Sequence, residues 1–448
     1  MNLVQALRLL PFPCLALVGA GGKTTALFQL ARELAPPVIV TATAHLAVEQ
    51  AKLADRHIIA RITADLNILK ETPRAGVILV TGPIDGSRTQ GISNGVTNWL
   101  HAFCCYHDLP LLIEANGSRQ KPLKAPAEHE PPIPPFVEMV IVVAGLSGLG
   151  KPLTDEWVYR AERFEQISKM AMGQIITIEE VARALSHPDG GLKNIPKDAR
   201  RVALINQADT PELQARAKGL AEQLLPTYHA IVIAALNQQS AIHAVYEPVG
   251  GIVLAAGASA RFGQPKQLLD YHGQPLVRAV AQTALAAGLS PVVLVTGANA
   301  EQVESAVKGL PVKVVRNEEW HSGQSSSIRA GLSALTPSPS PMKGKGDVGA
   351  AIFLLADQPQ VTPPVLRALI ERHASDLSPI VAPLVGDRRA NPVLFDCVTF
   401  PDLISLTGDV GGRGIFSKYP ITYLPWHDEN LLLDVDTPEN HARLENQE

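Results

Sequence analysis

At 448 residues the chain exceeds what one typical hydrophobic core supports, so its length sets two or three domains. An apolar fraction of 46% against 18% charged residues excludes large disordered regions, and a net charge of -4 gives no electrostatic case for nucleic acid or an anionic membrane surface. Cys14, Cys104, Cys105 and Cys397 are too few for a disulfide framework and fit free thiols in a reducing cytoplasm.

The apolar N-terminal run is broken by Pro11 and Pro13 and ends in glycines, so it predicts neither a secretory signal nor a membrane span. From Cys14 the segment CLALVGAGGKTTALFQLAREL reads as strand, glycine loop and helix. That order aims backbone N–H groups of Gly19, Gly21 and Gly22 at phosphate, with Lys23 on the outer phosphates and the hydroxyls of Thr24 and Thr25 beside Mg2+. The loop is shorter than the full GxxxxGK[ST] pattern, because Leu17 stands five residues before Gly22. The apolar runs that follow, in PPVIVTATA, AGVILVTG, LPLLIEANGS, VEMVIVVAG and RRVALINQAD, alternate with helical stretches and predict a parallel α/β sheet. Ligands gather at the C-terminal ends of such strands. Glu114 stands at one of these ends, where a carboxylate holds Mg2+ or its water. Asn206 and Asp209 stand at another, where they read a purine edge or simply cap a loop. The proline-dense segment from Lys121 to Pro134 predicts a stiff, extended surface stretch carrying Lys124, Glu128, His129 and Glu130. Residues 247–250 read as a linker, which divides the chain into domains 1–246 and 251–448.

The second domain opens on GIVLAAGASARFGQPKQLL. An apolar strand ending at Leu254 runs into the small residues Ala255, Ala256, Gly257, Ala258 and Ser259, whose backbone approaches a polyphosphate closely; Leu254 and Gly263 flank this nucleotide-binding loop, and Arg261 and Lys266 add fixed positive charge. Further βα repeats follow. Ser325, in NEEWHSGQSSSIRAGL, stands at a helix start that binds phosphate or caps the helix. The stretch from Thr336 to Gly349 is a Pro/Ser/Gly insertion that reads as a surface loop. The strand AAIFLLAD delivers Asp357, and a carboxylate at the end of a buried strand needs a partner or a metal. Asn391 in RRANPVLF, then Asp409 and Arg413 in TGDVGGRGIF, form a candidate acceptor region, in which Asp409 holds a second metal or positions the acceptor. Asp434 and Asp436, two apart in LLLDVDTPEN, fall on one face of a strand end. Nucleotidyl transfer needs these parts: Asp357, Asp436 and Asp434 for metal, and Arg261 and Lys266 for the leaving pyrophosphate.

The combination VGAGGKTT, EANGS, KPLKAPAEHEP, GLSGLGKPL and NQAD resembles the YqeC-like family of accessory proteins for selenium-dependent molybdenum hydroxylases, over about Leu15 to Asp209. Asn116 and Tyr159 depart from its pattern, where aspartate and histidine are usual. The pattern LAAGxSxRFGxxKxLL with DQP, GDxGxR and DxDTPE is similar to the MobA-like nucleotidyltransferases, and most to the molybdenum cofactor cytidylyltransferases. These resemblances imply a P-loop-like parallel sheet that takes ATP or GTP, followed by a Rossmann-like nucleotidyltransferase sheet. They also imply CTP as donor, since Ala256 stands where guanylyl-transferring relatives carry glycine, the molybdenum cofactor as acceptor, Mg2+, and a molybdenum hydroxylase apoprotein as partner.

Overall fold

The computed structural model describes residues 1–71, 75–237, 242–258, 264–336 and 348–433. The chain divides into two compact units, with the division between Tyr246 and Glu247. Of the residues 247–250, read as a linker, Val249 and Gly250 already belong to the strand Val249–Ala255, so the connection is shorter than the sequence suggests.

The first unit is built on a nine-stranded sheet in which the strands beginning at Ile242, Ala230, Arg200, Met139, Cys14, Leu111, Val38, Val77 and Arg56 lie side by side in that order. All neighbours are parallel except the edge strand Ile242–Tyr246, which runs antiparallel to Ala230–Ala234. Helices such as Lys23–Glu33 and Asn94–Tyr106 connect the parallel strands, as βαβ crossovers require. The central strands are therefore apolar at nearly every position, Thr41 and Glu114 excepted. Val38–Ala42 and Met139–Gly145 are buried along their whole length, the pattern of a sheet covered on both faces.

The sheet of the second unit places the strands beginning at Lys313, Val292, Val249, Ala350, Val393, Ile380 and Arg388 in that order, with Ile421–Trp426 paired to Ile380–Val385. The four from Lys313 to Ala350 are parallel. Val393–Asp396 is antiparallel to its neighbours on both sides. Apolar clusters fill both faces, one around Val253, Leu294 and Leu366 and the other around Ile252, Val295 and Ile328. Both units thus present loops at the carboxyl ends of parallel strands, where α/β folds bind ligands.

Candidate functional sites

In the first unit the strand Cys14–Gly19 ends in the glycine loop, and the helix Lys23–Glu33 starts from Gly22. Gly22 has φ +123°, and a Cβ there would lie 2.2 Å from Asn206 Nδ2, so backbone conformation and space both demand glycine. The Asn206 amide donates to Gly21 O at 2.7 Å, and its Oδ1 accepts from Leu236 N at 3.1 Å. Both ends of this side chain are occupied inside the protein. Asn206 thus buttresses the loop, while Asp209 is exposed and does not line the cleft.

Lys23 is buried, with Nζ donating to Gly19 O at 2.9 Å and lying 3.8 Å from Glu114 Oε1. Thr24 Oγ1 donates to Glu114 Oε2 at 2.8 Å and accepts from Gln50 Nε2 at 3.1 Å. A cleft of about 350 Å3 opens over these groups and is also lined by Thr25, Arg88, Arg119 and Tyr159. The proline-dense segment is only in part a surface stretch. Leu123 and Ala125 join the core, and Leu123–Lys124 pairs with Val158–Tyr159. Lys124 tolerates burial because Gly117 O and Glu130 Oε2 accept from its ammonium at 2.6 and 2.7 Å. His129 is exposed and absent from the lining of the cleft.

In the second unit, a cleft of about 580 Å3 is lined by Leu254, Ala256, Gly257, Lys266, Asp357 and Asp409, among others. Lys266 Nζ lies 3.9 Å from Asp357 Oδ2. Ala256 is nearly buried, its methyl within the apolar cluster of Val295 and Ile328, and its carbonyl accepts from Ala298 N at 3.1 Å. A neighbouring cleft of about 360 Å3 is lined by Arg389, Asn391, Gly411 and Arg413. Leu254, Gln324, Leu355 and Asp409 line both. Ser325 does not face either cleft: it is buried, and its hydroxyl donates to Gly408 O at 2.7 Å, tying the helix Gln324–Leu335 to the loop that carries Asp409. Ser327, two positions further along the same helix, lines the larger cleft together with Ser322. Ser259, Arg261, Gly263, Asp434 and Asp436, with most of the Pro/Ser/Gly insertion, lie outside the described residues.

The family model described as YqeC protein matches residues 15–162, and that described as MobA-like NTP transferase domain matches residues 251–422. The YqeC protein of Escherichia coli K12 is 33% identical over 43% of this chain and 75% of its own length. The nicotine blue oxidoreductase of Paenarthrobacter nicotinovorans is 34% identical over 44% of this chain and 96% of its own. The chain belongs to both families, one in each half. Among solved structures, Rv0371c from Mycobacterium tuberculosis H37Rv is 30% identical with a TM-score of 0.39, covering 45% of this chain and 98% of that one.

In the YqeC half, burial pushes the Lys23 ammonium down and the Glu114 carboxyl up, against the mutual attraction of the pair. Burial also lowers Lys124 to about 8, opposed by its bond to Glu130. For Glu130 burial acts upward, but hydrogen bonds from Arg160 and Lys124 outweigh it and hold the carboxyl near 2. Gln50 and Arg88 escaped the sequence reading, since one sits in the short helical segment Val48–Leu53 and the other on the two-residue strand Arg88–Thr89, with no motif around either. In the MobA-like half the residue missed is Gln267, whose Nε2 donates to Gly257 O at 2.8 Å and Ala255 O at 3.3 Å. Its signal was present: a glutamine directly after Lys266, buried at the foot of the glycine loop. Among the described residues no helix is long and apolar enough to cross a membrane.

Proposed function

We propose that the MobA-like half is a Mg2+-dependent cytidylyltransferase. It joins CMP from CTP to the terminal phosphate of the molybdopterin form of the molybdenum cofactor and releases pyrophosphate. The YqeC half binds ATP or GTP and assists delivery of the product to a molybdenum hydroxylase apoprotein in the cytoplasm. The observation that carries the reading is the pair of adjoining clefts with Asp409 in their shared wall and Asp357 and Lys266 in the larger one. Two ligands seated there meet across Leu254 and Leu355, as a nucleotide and a phosphorylated acceptor must for direct transfer.

In this reaction an oxygen of the acceptor phosphate attacks the α-phosphorus of CTP. The new P–O bond forms as the bond to the β-phosphate oxygen breaks, and the electron pair leaves on pyrophosphate. The donors present suit Mg2+. Asp357, with its side chain one-third exposed at a strand end, offers a hard carboxylate, and Mg2+ is ordinarily held by one or two carboxylates together with substrate phosphates and waters. When bound, the ion neutralises phosphate oxygens. Asp434 and Asp436 are the further proposed ligands. Lys266, with Arg261, offsets charge on the pyrophosphate, and Asn391, Arg413 and Asp409 hold the acceptor. CTP over GTP rests on the family resemblance at Ala256 alone.

The test incubates the full chain with molybdenum cofactor and CTP, GTP or ATP, and measures pyrophosphate and the dinucleotide product. CTP-dependent product that falls by roughly a hundredfold or more in Asp357→Asn is expected. Undiminished product from the variant, or product from GTP alone, refutes the assignment. Oxidation or reduction of nicotine blue without pyrophosphate release would favour instead the activity named for the Paenarthrobacter relative.

A further inference from the structure

The cleft of the YqeC half carries more positive charge than one nucleotide uses. Lys23, Arg88, Arg119 and Lys121 line it, with Glu114 and Glu130 as the acidic residues. Glu130 is already paired with Lys124 and Arg160, each at 2.7 Å, and Glu114 with Lys23 and Thr24. Both carboxylates are therefore committed, in a chain whose net charge is -4. A nucleotide on the glycine loop is served by Lys23, the loop amides and a metal beside Thr24 and Glu114. Lys121 donates to Glu156 O at 2.8 Å, which leaves Arg88 and Arg119 over.

These two arginines stand on separate segments, each fastened to the glycine loop or the helix it starts. Arg88 lies on the strand Arg88–Thr89 and pairs with Ala47, and Gln50, in the turn after Ala47, donates to Thr24 at 3.1 Å. Arg119 lies in the loop whose Lys121 carbonyl accepts from Gly21 N at 3.1 Å. Both are exposed, and neither has a carboxylate partner among the described residues. Arg119 instead rests over the Tyr159 ring at 5.3 Å, which leaves its guanidinium hydrogens available. Arg119 and Gln120 both take left-handed backbone conformations, with φ 49° and 62°, which non-glycine residues hold only where the surroundings impose them.

We infer that this cleft holds a second, phosphate-bearing small molecule beside the nucleotide, with Arg88 and Arg119 as its binding residues. Arginine fits this class because its planar fork binds phosphate oxygens in pairs. The inference rests on the reading of VGAGGKTT as a nucleotide site and adds to it a second ligand.

The probe is inorganic phosphate. The full chain is saturated with Mg2+ and a non-hydrolysable ATP analogue whose γ-position is filled, and phosphate uptake is measured by equilibrium dialysis. Arg88→Ala and Arg119→Ala are each expected to weaken phosphate binding roughly tenfold or more, the loss of one charge-assisted contact, while leaving the analogue's affinity unchanged. Lys23→Ala should show the reverse pattern. Phosphate uptake equal in the wild type and both arginine variants overturns the inference. So does loss of analogue binding in the arginine variants, which would make them contacts of the nucleotide itself. If the analogue binds neither the wild type nor Lys23→Ala, the nucleotide reading fails first. Circular dichroism of each variant guards against misfolding, which the exposure of both arginines makes a small concern.

Discussion

Replacing Asn206 by alanine removes two hydrogen bonds at once, from its amide to Gly21 O and from Leu236 N to its Oδ1. Gly21 O and the buried Leu236 N–H are left unsatisfied, at about 1–3 kcal/mol each, so a loss of about 3 kcal/mol is expected in the stability of the first half. Asn206→Asp should cost at least as much, because the aspartate still accepts from Leu236 N but turns an oxygen toward Gly21 O. The neighbouring position supplies a control. Gly22→Ala drives a Cβ to 2.2 Å from Asn206 Nδ2, and that clash disappears when the amide is gone. The double variant should therefore be more stable than the sum of the single losses predicts, by about 1–2 kcal/mol, leaving the backbone strain at Gly22. Hydrogen exchange read on peptides from Met1 to Tyr246 measures this without confusing the two halves. The reasoning is refuted if Asn206→Ala changes stability by less than about 0.5 kcal/mol while Asn206→Asp alters which purine nucleotide binds, since that is the behaviour of a base-reading residue.

Glu130 carries an acid-sensitive contribution. Its folded carboxyl titrates near 2, below the ordinary glutamate value, so the stability it adds is complete above that ordinary value and is lost as pH falls toward 2. Glu130→Gln should flatten this part of the acid-unfolding curve of the first half. Lys124 works in the opposite range: its lowered value of about 8 means that stability rises with pH from there toward the ordinary lysine value, and Lys124→Met should remove the slope in thermal melts between pH 8 and 10. In the second half, His373 Nε2 lies 2.6 Å from Asp396 Oδ2, with both side chains buried. His373→Leu should cost roughly 1.5–3 kcal/mol of unfolding free energy, with transferase turnover per folded molecule unchanged. Thiol labelling of the native chain at pH 8 should modify the exposed Cys105 and spare Cys14 and Cys104, since burial pushes Cys104 up to about 12 and Cys14 further; rapid labelling of either would contradict their packing.

The residues that sequence reasoning located well share one property, their place at the end of a buried parallel strand. Gly19, Glu114 and Asp357 each end or follow a run of three to seven apolar or small residues, and a sheet covered on both faces makes such runs continuous and easy to read. The misreadings fall where a distant partner decides the outcome. Lys124 looked like a surface lysine among prolines, and its burial depends on Glu130 and Gly117 O, which only the folded chain brings to it. The strand-end tetrad of Asn206 suits a base contact or a loop cap alike in sequence, and only the fold shows that Gly21, 185 residues earlier in the chain, takes its amide. Ser325 and Ser327 illustrate a finer version of the same effect. Successive positions on a helix point about 100° apart, so two residues of identical chemistry divide between the cleft and the Gly408 carbonyl, and the angle at which the helix Gln324–Leu335 meets the Asp409 loop decides which is which. Gly323 fixes that meeting: at φ +107°, a Cβ there would lie 2.5 Å from Gly408, so the close approach that aims Ser325 inward and leaves Ser327 on the cleft exists only because the residue before the helix has no side chain.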